Sequence, residues 1–195
     1  LNLAEQATLF VEFHGTQQSV AEQTALFAEI IADFGGADFS WHSDEAARKK
    51  LWTARHHAYF AACALRPEAK GLSTDACVPI SRLADCVTAT QDDIIASGML
   101  APIVGHVGDG NFHVLLLVDT NNPDEIKKAE EIIGRLAHRA IEMGGTCTGE
   151  HGVGQGKRKY MAAEHGEALK VMRAIKQAID PNNIMNPDKI WPDEL

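Results

Sequence analysis

Nine residues, Gly105-His106-Val107-Gly108-Asp109-Gly110-Asn111-Phe112-His113, constrain this chain more than any other stretch. Three of the nine are glycine, and apolar segments flank them, Pro102-Ile103-Val104 before and Val114 to Val118 after. The pattern predicts strand, glycine turn, strand, with a histidine at or near each strand end. Such a turn can fold back and bring two neutral imidazoles together, as first-row metals require. A second glycine-rich run at 144–154 carries Glu150 and His151. Two histidines and one carboxylate would leave coordination positions open for water or substrate.

Each of these residues also has a plainer reading. A lone histidine is more often a satisfied core or surface group than a ligand. Two of them around one glycine turn, with a Glu-His pair in a second glycine-rich run, shift the balance toward a metal. Asp109 is either a ligand or, more simply, a group that fixes the turn or orients an imidazole. Glu150 and His151 are neighbours, so in extended backbone their side chains diverge. In a glycine-distorted loop both can face one cavity, Glu150 toward a hard cation and His151 as a general base. An exposed polar loop is the alternative for that pair.

The elements around these runs read as follows. Residues 8–13 are strand-like, and a helix runs from about Ser19 to Phe34, ended by Gly35-Gly36. A short strand is expected at 37–41. Ser43 then caps a helix that continues to about Leu65, before Pro67. A strand at 74–78 precedes a helix opened by Pro79 and Ser81 that turns Leu83 and Val87 inward and ends near Gly98. Asn122-Pro123-Asp124-Glu125 is a strong helix start, and the apolar face that follows ends at Gly144-Gly145. A last helix, roughly Glu164 to Ile179, is expected to bury Leu169, Met172, Ile175 and Ile179. This order predicts an α+β fold, an antiparallel, ferredoxin-like sheet with helices on one face, and 1–195 as one domain.

Composition narrows the function classes. A formal charge of -9 argues against a nucleic-acid partner, which would meet a basic face. No segment has the apolar length of a membrane span or reads as a signal peptide. The four cysteines form no C-x-x-C pair and fit free thiols better than a disulfide framework or a zinc knuckle. The chain opens without Met and nearly at a strand-like segment, so it reads as a piece of a longer polypeptide.

Two further features bear on ligands. The basic run at 152–159 fails as a phosphate loop, because His151 stands where the first glycine belongs and Arg158 where Ser or Thr should follow Lys157. It also fails as a Rossmann fingerprint, leaving a solvated basic turn or an anion contact. Arg55 lies on a mostly apolar helical stretch, where it is either a snorkelling surface group or a bidentate clamp for a substrate carboxylate.

The two glycine runs and the closing Asp180-Pro181-Asn182-Asn183-Ile184-Met185-Asn186-Pro187-Asp188-Lys189-Ile190 resemble the C-terminal domain of FAD-linked oxidases of the vanillyl-alcohol oxidase superfamily. Leu51-Trp52-Thr53-Ala54-Arg55-His56, Leu65-Arg66-Pro67 and Ser73-Thr74-Asp75-Ala76-Cys77-Val78-Pro79 are most similar to cytochrome-type D-lactate dehydrogenases. The glycolate oxidase flavoprotein subunit and D-2-hydroxyglutarate dehydrogenase are near relatives. The resemblance implies a substrate or cap domain whose FAD is held mainly by a separate N-terminal domain. It implies a divalent metal, often zinc, on His106, His113 and Glu150, and it assigns His151 the proton of the substrate hydroxyl. It further implies that Arg55 holds the substrate carboxylate, that Asn111 lines the site, and that Asn186 and Lys189 face the flavin domain. Ser73 stands near the position where the hydroxyglutarate enzyme has a lysine for a second carboxylate, which puts a dicarboxylic substrate in doubt.

The reading this supports is the substrate- and metal-binding domain of an FAD-dependent D-2-hydroxy-acid dehydrogenase, D-lactate- or glycolate-like. Its partners would be the 2-hydroxy acid, its own FAD domain and an electron acceptor: a cytochrome, a quinone or an electron-transfer flavoprotein. Its location would be cytoplasmic or peripheral on the inner face of a membrane, and mitochondrial in a eukaryote. Without the flavin domain the piece should be inactive. Two readings compete, a metal-dependent hydrolase that activates water and a metal-binding module without catalysis.

Overall fold

The computed structural model describes residues 6–37 and 39–192, which divide in sequence between Ala58 and Tyr59 into two compact units. The first unit holds α1 (Gln17–Asp33) and α2 (Glu45–His56). Thr16 caps α1 by accepting from the Ser19 amide at 3.2 Å, and Asp44 caps α2 by accepting from the Ala47 amide at 2.8 Å. The cap of α2 is therefore Asp44 and not Ser43; either side chain can accept such a bond, and here the carboxylate one residue on has the reach. No strand forms at 8–13 or among the described residues of 37–41; Asp38 lies outside them. Instead of a ladder, Phe13 and Phe39 pack edge-on against Phe27, with ring centroids 5.4 and 5.6 Å away.

The helix expected to reach Leu65 breaks at His57, and α3 (Ala58–Cys63) takes up the chain. Helical propensity runs through the break, but the boundary between units falls there. Beyond it come β1 (Lys70–Ser73), β2 (Ala76–Cys77), α4 (Ile80–Ser97), β3 (Ile103–His106), β4 (Asn111–Val118), α5 (Pro123–Glu142), α6 (Met161–His165) and α7 (Ala168–Ile179). The signals at α4 and α5 act as their chemistry predicts. Gly98 closes α4 in a left-handed conformation (φ 68°), and the Asn122 side chain accepts from the amides of Asp124 and Glu125.

All three other strands pair antiparallel with β4. β2 continues the register that β1 begins, from Lys70 opposite Val118 to Cys77 opposite Asn111. β3 takes the other edge, with Ile103 opposite Val114 and His106 opposite Asn111. The strand expected at 74–78 forms only at Ala76–Cys77, and β1 before it was not foreseen in the sequence. The two strands part at Thr74-Asp75, where the Thr74 hydroxyl accepts from the Val114 amide (2.8 Å) within the ladder.

Alternation along β4 then separates two environments. Phe112, Val114, Leu116 and Val118 pack into a core with Leu83 and Cys86 of α4 and Ile132 and Leu136 of α5. Leu115 and Leu117 point the other way and pack on Ala62 of α3. Period two puts Asn111 and His113 on that second face. A further cluster, Ala137, Cys147, Tyr160, Met161 and Leu169, joins α5 to α6 and α7.

The last helix departs from its reading. Gly166 (φ 51°) splits it into α6 and α7, and only Leu169 of the four residues expected inside is buried. Met172, Ile175 and Ile179 are exposed. Periodicity reports that a helix has an apolar face, and says nothing of what covers it.

One ion pair ties the end of β4 to the start of α5. The Arg66 guanidinium makes two hydrogen bonds to Glu125 (2.8 and 3.1 Å) and a third to the Leu117 carbonyl, while Glu125 also accepts from the Asp119 amide. These donors hold the Glu125 carboxyl below its ordinary value, the Arg66 bond foremost. A lowered carboxyl stabilises the fold fully above its unfolded value, near 4.3, and loses that contribution as pH falls through the folded one. Glu125→Gln should therefore lower Tm at pH 7, with a deficit that narrows toward pH 3. A constant deficit across that range would exclude the ion pair as its source.

Candidate metal and substrate site

The two glycine runs meet on the second face of the sheet. His106 ends β3 and His113 lies on β4, and their rings sit 6.0 Å apart at 88°. Between them Gly110 turns the chain at φ 74°; a Cβ there would lie 2.0 Å from the Val78 carbonyl oxygen, so no larger residue fits. Glu150 Oε1 lies 2.9 Å from His113 Nε2 and 3.8 Å from His106 Nε2. His151 stacks on His113, with centroids 4.9 Å apart, and its Nε2 is 3.7 Å from the same Glu150 oxygen. Ligands at zinc distances of about 2.0–2.2 Å in tetrahedral array stand roughly 3.3–3.5 Å from one another. The separations of Glu150 from the two histidines bracket that figure. The donor set is also chemically apt, two imidazoles and one carboxylate with a side open to solvent.

Contacts behind these side chains fix the arrangement. The Thr74 carbonyl lies 2.9 Å from His113 Nδ1, which leaves Nε2 as the nitrogen turned toward Glu150. Asp75 is buried, and its carboxylate accepts from the amides of Glu150 (3.0 Å) and His151 (2.8 Å), from Asn111 Nδ2 (2.9 Å) and from Lys157 Nζ (3.2 Å). Two successive amides turned onto one anion form a backbone nest. The nest is what lets the side chains of adjacent residues, Glu150 and His151, share a cavity. Burial alone would push the Asp75 carboxyl up; the bonds from His151, Asn111 and Glu150, with the Lys157 charge, hold it well below the usual carboxylate range. Asp75, His113 and His151 also offer three mutually close donors, but the carboxylate of Asp75 is already saturated by N–H groups. The set with His106, His113 and Glu150 is the one with free lone pairs.

A cleft of about 360 Å³ adjoins the donors, lined by Cys77, His106, Asp109, Asn111, Gly149 and Glu150. Asn111 is buried, donating to Asp75 and to the Ala76 carbonyl (3.2 Å), and its Oδ1 has no hydrogen-bond partner among the described residues. Asp109 fixes the turn through its backbone, accepting from the Cys77 thiol at 3.3 Å. Burial, then the charges of Asp75 and Asp109, push the Cys77 thiol up, so it is not a ready thiolate ligand. Burial with Glu164 pushes Cys147 up to about 12, as befits a core thiol.

Other residues singled out in the sequence lie elsewhere. Arg55 is half-buried in the last turn of α2, in the first unit. Asn186 is exposed in a left-handed conformation (φ 46°) after α7, and Lys189 is half-buried, its carbonyl accepting from the Trp191 amide. The basic run resolves into internal contacts, with Lys157 on Asp75 and Arg158 donating to the Trp191 carbonyl. Asp75 and Lys157 are the residues that sequence reasoning missed as parts of the site. An acidic residue inside an otherwise strand-like stretch was the available signal.

The sequence profile described as "FAD linked oxidases, C-terminal domain" matches residues 1–190, and the chain belongs to that family. It is 50% identical over 191 residues to "Probable D-lactate dehydrogenase, mitochondrial" of Danio rerio, covering 97% of this chain and 38% of that protein. It is 42% identical over 192 residues to "D-lactate dehydrogenase [cytochrome], mitochondrial" of Arabidopsis thaliana (98% and 34%). With "Glycolate oxidase subunit GlcD" of Escherichia coli K12 it shares 31% over 188 residues (96% and 37%). The chain thus spans less than two-fifths of the length of these relatives. Among solved structures, 4-ethylphenol oxidase from Gulosibacter chungangensis superposes with a TM-score of 0.63 at 20% identity, covering 92% of this chain and 38% of that one. That likeness supports the antiparallel α+β fold of an FAD oxidase C-terminal domain. No helix among the described residues is long and apolar enough to cross a membrane.

The seam between the two glycine runs has no room for a side chain at Gly149. A Cβ there would lie 1.9 Å from Asn111 Nδ2 and 2.9 Å from Asp75 Oδ1. Gly149→Ala should destabilise the fold by roughly 1–3 kcal/mol, the scale of overpacking, in a urea titration. Unchanged stability would show that the loop does not close against Asn111 as described.

Proposed function

We propose that this chain is the substrate-binding part of an FAD-dependent D-2-hydroxy-acid dehydrogenase that turns a 2-hydroxy acid of the D-lactate or glycolate type into the 2-oxo acid. The observation that carries this reading is the convergence of His106, His113 and Glu150, with His151 stacked beside them. The names of the relatives, D-lactate dehydrogenases and a glycolate oxidase subunit, support the substrate class. Domain 1–195 would then be one part of a longer flavoprotein, located in mitochondria in a eukaryote, as several relatives' names indicate.

His106, His113 and Glu150 would hold a divalent cation, zinc by preference, which when bound supplies charge that makes a nearby hydroxyl more acidic. FAD, held mainly outside this chain, supplies the hydride acceptor when bound. What remains falls to the residues here. His151 takes the proton of the 2-hydroxyl at its ring nitrogen, as a general base. Arg55 clamps the substrate carboxylate through two parallel charge-assisted bonds, and it makes no ion pair among the described residues. Asn111 offers its unpartnered Oδ1 at the cleft. The exposed Ser73 at the end of β1 offers no charge to a second carboxylate, which favours a monocarboxylic acid. Asn186 and Lys189 face the flavin portion, and a cytochrome, quinone or electron-transfer flavoprotein takes the electrons onward.

Three measurements on the complete flavoprotein test this. Elemental analysis should find about one divalent metal per chain, lost in the double variant His106→Ala, His113→Ala; metal content unchanged in that variant would overturn the donor set. Stopped-flow reduction with D-lactate should slow about a hundredfold or more in His151→Ala, the scale of a lost general base, with flavin and metal retained. Arg55→Lys should lower kcat/KM without lowering Tm, since lysine cannot make the bidentate contact. Wild-type flavin reduction in His151→Ala would remove His151 from the chemistry, and wild-type kinetics in Arg55→Lys would remove Arg55.

A further inference from the structure

The second glycine run is too glycine-rich to hold its own shape. Gly152 and Gly154 take left-handed backbone (φ 77° and 52°), and among the described residues a Cβ at either would meet nothing within 4 Å beyond its chain neighbours. Packing therefore does not set this turn; its anchors do. One anchor is Asp75, which accepts from the Glu150 and His151 amides. The other comes from the far end of the chain. The Ile190 amide donates to the Gly154 carbonyl at 3.0 Å, and Arg158 Nε donates to the Trp191 carbonyl. Trp191 packs, as Val153 does, on the cluster of Ala137, Cys147, Tyr160, Met161 and Leu169.

This second anchor is held in strained backbone. Asn186, Asp188 and Ile190 all have positive φ, at 46°, 61° and 73°. Asparagine and aspartate visit that region readily, whereas a β-branched residue there is an outlier. Such a conformation persists only where surrounding contacts over-determine it. The Ile190 side chain is exposed, so the demand comes from the main chain. It is set by the bond to Gly154 on one side and the seating of Trp191 on the other.

We propose that residues 189–191 are a strap that holds the second glycine run in place, with the Ile190 amide as a positioning group for Glu150 and His151. The roles of Glu150 and His151 themselves rest on the function proposed above. The connection runs through Lys157. The strap fixes Gly154 and Arg158 on either side of it, and the Lys157 amide closes the turn onto the Val153 carbonyl (3.2 Å). So placed, Lys157 Nζ reaches both the backbone carbonyl and the carboxylate of Asp75 at 3.2 Å. Asp75 in turn gathers the amides of Glu150 and His151. Without the strap, the turn between Asp75 and the buried Tyr160 loses its main-chain hold. Lys157 then leaves Asp75 more easily, and Glu150 and His151 move with the loop. A set of metal donors tolerates little such motion.

Two substitutions at one position separate the strap from ordinary packing. Ile190→Pro removes the N–H and cannot adopt a φ of 73°. Ile190→Gly keeps the N–H and accepts that φ freely. In the complete polypeptide, free of metal, hydrogen exchange followed by peptide mass spectrometry compares the loop at 149–158 with the central strand at 111–118. Zinc affinity is then measured on the same proteins. The strap predicts exchange about tenfold faster or more at 149–158 in Ile190→Pro, with 111–118 unchanged. It also predicts zinc bound about tenfold more weakly, the scale of losing a group that orients metal ligands. Ile190→Gly should match the native protein in all three respects. Native exchange or native zinc affinity in Ile190→Pro overturns the proposal. Loosening of 111–118 along with the loop also overturns it, because the effect would then be general destabilisation. So does an equal effect of Ile190→Gly, which would assign the hold to the side chain. Exchange needs no metal. If the native protein bound no zinc, the metal reading alone would fail, and the exchange pattern would still decide for or against the strap.

Discussion

The Asp75 carboxylate is the constraint on which the candidate site depends. It is buried between two short strands and collects hydrogen bonds from the 149–151 loop, from Asn111 on β4 and from Lys157 beyond the loop. Burying a carboxylate is costly, and a surplus of donors is what makes it tolerable. Those donors come from segments that are distant in sequence. The same bonds that stabilise the charge therefore hold the second glycine run against the first. Without that hold, Glu150 and His151 would be neighbours on a surface loop with diverging side chains.

The sheet supplies the other half of the arrangement. Alternation along β4 sends Phe112, Val114, Leu116 and Val118 into the core under α4 and α5, and leaves the opposite face to Asn111, His113, Leu115 and Leu117. One strand therefore anchors the core and presents two site residues at fixed spacing. Thr74 links the two roles, because its hydroxyl completes the ladder to Val114 and its carbonyl orients the His113 ring. A site built on a central strand is held more rigidly than one built on loops alone, which suits donors that must stay within a few ångströms of one another.

What could be read in advance followed the range of the interactions involved. The start of α5, the end of α4 and the glycine turn between β3 and β4 are local devices, with their side-chain and backbone signals within a few residues. They stand in the sequence as they stand in the structure. The segment at 8–13 is strand-like in composition, yet strands exist through their partners, and none pairs with it among the described residues. Likewise α7 has a clear apolar stripe, but the stripe does not state whether the covering surface lies within this chain. Asp75 was the least legible, since its role comes from donors up to 82 residues away. The histidines and Glu150 were legible as candidates because glycine-rich spacing implies close approach, although only the fold brings the two runs together.

Zinc affinity of the complete polypeptide, compared between the native protein and Asp75→Asn, tests this account most directly. Asparagine keeps the shape and removes the charge that gathers the loop, while none of the three proposed donors is altered. The account predicts affinity weaker by about 10–100-fold, the usual scale for losing a group that orients metal ligands, with the far-UV circular dichroism of the native protein retained. Native zinc affinity in a folded Asp75→Asn protein would contradict it, because the donors would then converge without the carboxylate.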